Sequence, residues 1–172
     1  TKAMMILVSY LTGMFASRKP LMFSASLFFE QSYAGIEGDS ASGAELAALL
    51  SALAEVPVRL DLAFTGAVSH SGQIMAVGGV TQKIEGFFKV CQHQRLTGTA
   101  DNIDELMLSP AILKAVDEKQ FFIYPVSRIE DAVQLLTGMQ AGRRRKDGTF
   151  TRGSLYELVD TRLERLGEYG EH

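Results

Sequence analysis

Apolar positions along this chain recur at helical spacing in some stretches and at strand spacing in others. Over Ala3–Phe15, Met4, Leu7, Val8 and Leu11 share one face, which predicts a buried helix ended by Arg18-Lys19-Pro20. Leu21–Phe29 interleaves small and large residues and predicts a largely buried strand. Glu30–Ser42 is rich in glycine, serine and acids, and suits no regular element. Ala44–Leu53 is nearly all alanine and leucine, the pattern of a closely packed helix, and Pro57 closes it. Val58–Thr65 alternates as a strand, Gly66–Gly72 carries turn residues, and Ile74–Val77 reads as a short return strand. Gly78-Gly79 then breaks the chain before a helix over Thr81–Gln92.

In the second half, Ile103–Leu108 and Pro110–Glu118 predict helical turns, Phe121–Pro125 a buried strand and Ile129–Leu136 a helix. Gly138–Gly153 is polar and reads as a connection. Ser154–Leu166 places Leu155, Leu158, Leu163 and Leu166 on an amphipathic helix. The alternation of strands and helices gives an α/β or α+β class. A length of 172 residues suits one core and hardly two. The division expected is a core over 1–138, with 139–172 a connection and helix packed on or extending the same domain.

Charge and composition narrow the function. A formal net charge of -3 argues against a nucleic-acid or acidic-membrane partner drawn by bulk electrostatics. The basic run Arg143-Arg144-Arg145-Lys146 is read as a solvated linker. The single cysteine, Cys91, excludes an intrachain disulfide framework and suits a reducing, cytoplasmic setting. Its apolar helical neighbours point to a packed thiol. His70, His93 and His172 are scattered without ligand spacing, so no metal is expected. No uninterrupted apolar run is long enough for a membrane segment. The opening from Thr1 straight into a helix is read as a piece of something longer.

Two segments carry chemistry. Gly35-Ile36-Glu37-Gly38-Asp39-Ser40-Ala41-Ser42-Gly43 sets a serine just before a strong helix, after glycines that allow a tight turn. Amides at a helix start can stabilise an oxyanion, so Ser40 reads as a nucleophile or, equally, as an N-cap. Val77-Gly78-Gly79-Val80-Thr81-Gln82-Lys83-Ile84-Glu85-Gly86 sets a lysine in the first turn of a helix beside apolar residues. The helix dipole and desolvation both disfavour its charged form, which suits a general base. A snorkelling surface lysine is the plain alternative.

Together, these segments resemble the proteolytic domain of the Lon protease family. That family carries a Gly-(Asp/Pro)-Ser-Ala motif and, after a Gly-Gly pair, a lysine opening a helix. Pro57-Val58-Arg59 and Thr65-Gly66 match intervening steps, and Lys83 follows Ser40 by 43 residues, the family's spacing. Phe29-Glu30-Gln31-Ser32-Tyr33 and Lys83-Ile84-Glu85-Gly86-Phe87-Phe88 look like its B-type branch, which includes bacterial Lon-like proteins. The resemblance spans roughly Lys2 to Gly138.

It implies the Lon proteolytic fold, with mixed sheets packed against helices. It also implies a serine endopeptidase with Ser40 as nucleophile and Lys83 as general base. Thr65 would orient the lysine, with Glu37 and Asp39 as auxiliary acids. Phe28, Phe29, Gln31 and Tyr33 would pair with an extended substrate strand. Unfolded proteins or peptides are the implied substrates, a hexameric ring the implied assembly, and protein quality control the implied role.

The chain contains no Gly-x-x-x-x-Gly-Lys-(Ser/Thr) loop, so no cofactor is expected in it, and ATP only for an ATPase module outside it. The family's apolar strand after the lysine helix, ending near a proline, has no clear counterpart. Residues are expected to be missing between Thr99 and Asn102. Gly38-Asp39-Ser40 also suits a Gly-Asp-Ser lipase or esterase, but the required Asp-x-x-His is absent, since Val90 and Tyr169 precede His93 and His172. A catalytically silent Lon-like scaffold is the remaining alternative.

Overall fold

Leu7, Tyr10, Leu11 and Phe15 point one way from the first helix, and around that stripe the main core assembles. The computed structural model describes residues 2–29, 39–94, 98–101 and 106–170. Helix α1 spans Lys2–Phe15, and those four residues are buried. Helix α2, Ser42–Ala54, contributes Leu46, Ala47, Leu50 and Leu53. It packs against α5 (Ile129–Thr137) and α6 (Leu155–Gly170), which add Ile129, Val133, Leu155 and Val159. Helix α2 stops where Glu55 turns left-handed (φ 56°), its N–H donating back to the Ala52 carbonyl and the Val56 N–H to the Ser51 carbonyl, and Pro57 forbids continuation.

A second, smaller core lies around α3 (Val80–Gln94) and α4 (Pro110–Asp117), built from Ile84, Cys91, Ile112, Ala115 and Phe121. Phe88 meets the Phe121 ring edge-on at 5.2 Å. Cys91 is buried there, as expected of a packed thiol, and burial pushes its thiol up. Among the described residues, two short sheets complete the fold. Strands β1 (Ala67–Val68) and β2 (Ile74–Met75) form an antiparallel hairpin. Strands β3 (Gly98–Asp101) and β4 (Phe121–Tyr124) run parallel in register Gly98↔Phe121, with α4 in their connection. A strand therefore does follow the lysine helix, where none was expected, although it is only four residues long. The class is α/β, as predicted.

Two expected strands are not strands. Leu21–Phe29 runs without regular structure, and it is mostly exposed rather than buried. Leu21, Phe23 and Leu27 rest on the main core, while Met22, Phe28 and Phe29 face solvent. The period of two is real, but its apolar side lies against α1 and α2 instead of within a ladder. In Val58–Thr65, the Arg59 N–H donates to the Leu136 carbonyl at 2.7 Å, and its guanidinium grips Asp61 at 2.6 and 3.0 Å. Leu60 is thrown outward, and the segment docks on the end of α5. Leu106–Ser109 is not helical, and the rest of the turn expected before it lies outside the described residues.

The basic run Arg143–Lys146 is exposed, as a solvated stretch should be, but the connection that carries it is bonded back to the domain. Arg144 bridges to Phe150 in an antiparallel pair, and the Arg144 guanidinium donates to the Gly13 and Met14 carbonyls at the end of α1. Phe150 is buried against Phe15. Ser154 starts α6 by accepting the Glu157 N–H, while the Glu157 carboxylate accepts from Gly153.

A polar relay, buried at its tyrosines and exposed at Arg128, ties α1, α5 and α6 to the β1–β2 turn. The Tyr10 and Tyr156 hydroxyls lie 2.6 Å apart, and Tyr10 donates to Glu130. Arg128 holds Glu130 and donates to the Ser71 carbonyl. Gly72, at φ +86°, packs on the Tyr10 ring, where a Cβ would come within 2.8 Å.

Candidate functional site

The residues around Ser40 form a turn before they form a helix. Asp39 O accepts two hydrogen bonds from Ser42, one from its N–H at 3.0 Å and one from its hydroxyl at 2.7 Å. The N-cap of α2 is Ala41. Ser40 therefore stands one residue outside the cap, and the capping explanation for it falls away. It is half-buried.

A reciprocal pair of backbone bonds docks this turn on the chain entering β1. The Gly66 N–H donates to the Ser40 carbonyl at 3.1 Å, and the Gly43 N–H donates to the Gly66 carbonyl at 3.0 Å. Both glycines are sterically required. A Cβ on Gly43 would lie 2.8 Å from Gly66 O and from the Phe64 ring; one on Gly66 would lie 2.7 Å from Ile74. The close approach brings Thr65 beside the serine turn.

Lys83 arrives from the second core. Gly79, at φ +71°, turns the chain into α3, and the Lys83 N–H makes an early helical bond to the Gly79 carbonyl at 3.1 Å. Ile84, next in sequence, is buried and fixes the helix, while Lys83 projects outward. Its Nζ donates to Thr65 Oγ1 at 3.1 Å. Ser40, Thr65 and Lys83 thus converge from three segments. Among the described residues no hydrogen bond joins Ser40 Oγ directly to Lys83 Nζ. The desolvation expected for Lys83 is not supplied by the chain itself, because the side chain is exposed.

The remaining predicted residues divide. The Asp39 carboxylate pairs with Lys2 at 2.6 Å. Phe28 and Phe29 are exposed, at 89% and 47%. Glu37, Gln31 and Tyr33 lie outside the described residues. The apolar groove of about 340 Å³ between α1 and residues 21–27 is lined by none of Ser40, Thr65 and Lys83. Two of the amides at the start of α2, those of Ser42 and Gly43, are already engaged. Neither is free to bind a further acceptor.

Ser42 and Gly43 were not singled out from sequence. The signal for Gly43 was present: a glycine in the first turn of an alanine-leucine helix costs stability, about 1 kcal/mol, unless a close approach demands it.

Residues 32–137 match the Lon protease (S16) C-terminal proteolytic domain, and the chain belongs to that family. A Lon protease homologue of Escherichia coli (strain K12) is 45% identical over 144 residues, covering 80% of this chain and 25% of the relative. A Lon protease homologue of Haemophilus influenzae is 43% identical over 169 residues, covering 95% and 28%. The archaeal Lon protease of Pyrococcus abyssi is 39% identical over 107 residues, covering 62% and 10%. The chain thus spans about a quarter of the length of its bacterial relatives. Among the described residues, no helix is long and apolar enough to cross a membrane.

Proposed function

We propose that this domain is a serine endopeptidase in which Ser40 is the nucleophile, Lys83 the general base and Thr65 the residue that orients the amine. One observation carries the reading: Ser40 O is bonded to Gly66 N, and the adjacent Thr65 hydroxyl accepts the Lys83 amine, so a single backbone step joins nucleophile and base. In acylation, Ser40 Oγ attacks the scissile carbonyl carbon and its proton passes to neutral Lys83 Nζ. The proton then goes to the leaving amine as the peptide C–N bond breaks. In deacylation, Lys83 takes a proton from water, whose oxygen attacks the ester carbon; the C–O bond to Ser40 then breaks and Lys83 returns the proton to Ser40 Oγ, restoring the hydroxyl and the neutral amine.

The amine must be neutral and must swing from Thr65 toward Ser40. A bound peptide lying over the exposed Lys83 would exclude water from the reacting groups. Exposed Phe28 and Phe29 are suited to contact such a peptide. For the whole protein we propose unfolded polypeptide substrates in the cytoplasm, a hexameric ring and an ATP-driven module outside this chain.

A silent scaffold is the second reading, favoured by the lack, among the described residues, of a hydrogen bond between Ser40 and Lys83. Hydrolysis of a fluorogenic peptide decides between them. Wild type is expected to cleave, and S40A and K83A to be inactive with unchanged circular dichroism. Inactive wild type, or active variants, would sink the proposal.

A further inference from the structure

Ser42 is one of only two buried polar or charged side chains among the described residues, with 1% exposure. A buried hydroxyl is costly unless both its donor and its acceptor capacity are used. Here both are used, and across an informative gap. The hydroxyl donates to Asp39 O at 2.7 Å, on the residue before Ser40. It accepts the Val68 N–H at 3.0 Å, on β1, three residues after Thr65. Val68 is itself fully buried, so water cannot replace that acceptor.

From these contacts we infer that Ser42 is a positioning residue for the reaction: its hydroxyl fixes the register between the turn bearing Ser40 and the start of β1, and so the preceding Thr65 that accepts the Lys83 amine. The inference rests on the proposed Ser40–Lys83 chemistry. Without Ser42, two backbone bonds still join the two segments, Gly66 N to Ser40 O and Gly43 N to Gly66 O. Both meet at Gly66 and act as a hinge. The Ser42 bond, two residues further along β1, is off that hinge and resists rotation about it. Rotation there moves Thr65 Oγ1 relative to Ser40 Oγ while leaving the helix and the hairpin intact. Ser42 touches neither Lys83 nor any reacting atom, so its effect belongs in the chemical step and not in substrate affinity.

The alternative is a serine that only helps the fold. An isosteric pair separates the two roles, because threonine keeps the hydroxyl and valine has the same shape without it. With a fluorogenic peptide, S42T is expected to keep kcat within about threefold of wild type. S42V and S42A are expected to lose on the order of tenfold or more in kcat, at nearly unchanged KM. The rate at which a fluorophosphonate labels Ser40 should fall in parallel.

Assays run well below each variant's Tm remove the contribution of unfolding, and should S42A not fold, the threonine–valine pair decides. Equal kcat in S42T and S42V, or a loss confined to KM or Tm, overturns the inference while leaving Ser40 and Lys83 in place. A wild type unable to cleave peptide or take the label overturns instead the reading on which it rests.

Discussion

Gly66 N–H donates to the carbonyl of Ser40 at 3.1 Å, binding residues 26 apart in sequence into one turn. Every element of the proposed site is arranged by that contact. Thr65, next to Gly66, receives the Lys83 amine at 3.1 Å, so a helix from the second core reaches a turn seated on the first.

The approach depends on glycine at position 43, where any Cβ would press on Gly66 O and the Phe64 ring at 2.8 Å. Substitution G43A should destabilise the domain by about 1–3 kcal/mol, because backbone cannot move aside as a side chain can. Thermal denaturation checks this. A Tm equal to wild type would show that the close approach is not a constraint.

Thr65 offers the Lys83 amine its hydrogen-bond acceptor. T65V keeps the shape and removes the oxygen, and should cut kcat by on the order of tenfold or more with the fold intact, whereas T65S should retain most activity. Steady-state kinetics on the two variants decides. Equal rates in T65V and wild type would remove Thr65 from the site.

The Tyr10–Tyr156 pair gives a pH dependence of stability. Burial above all holds both phenols well above their ordinary range, with the neighbouring Glu130 charge adding to the effect. The folded pKa values lie above the unfolded ones. Their stabilisation is therefore complete below the ordinary phenol pKa, near 10, and is lost as pH rises beyond it. Denaturant titrations from pH 8 to 11 should show stability falling at the alkaline end. In Y10F the alkaline slope should be shallower. Its stability at neutral pH should also drop by about 1–3 kcal/mol, since the Tyr156 hydroxyl loses its partner. A flat profile for wild type would contradict the assignment.

Much of this architecture can be read from sequence because burial leaves a periodic trace. Leu7, Leu11 and Phe15 in α1, and Leu46, Leu50 and Leu53 in α2, repeat at spacings that only a helix aligns. The strands were harder to read. Leu21, Phe23 and Leu27 alternate whether the chain joins a ladder or lies along two helices, and sequence carries no trace of the missing partner. Ser40 and Lys83 stood out through the wording around them. The exposure of Lys83 did not, because desolvation depends on what covers a side chain. Ser42 looked like one more small residue at a helix start, and its bond from Val68 appears only once β1 is folded against it.

The central claim is that Lys83 activates Ser40, and covalent labelling tests it without any assumption about substrate. The folded wild-type chain is incubated with a fluorophosphonate and digested, and the adduct is located by mass spectrometry. The account predicts an adduct on the peptide containing Ser40, absent from S40A and formed more slowly, by on the order of a hundredfold or more, in K83A. Labelling of Ser40 at the same rate in K83A and wild type, or no labelling of Ser40 in the folded wild type, would contradict it.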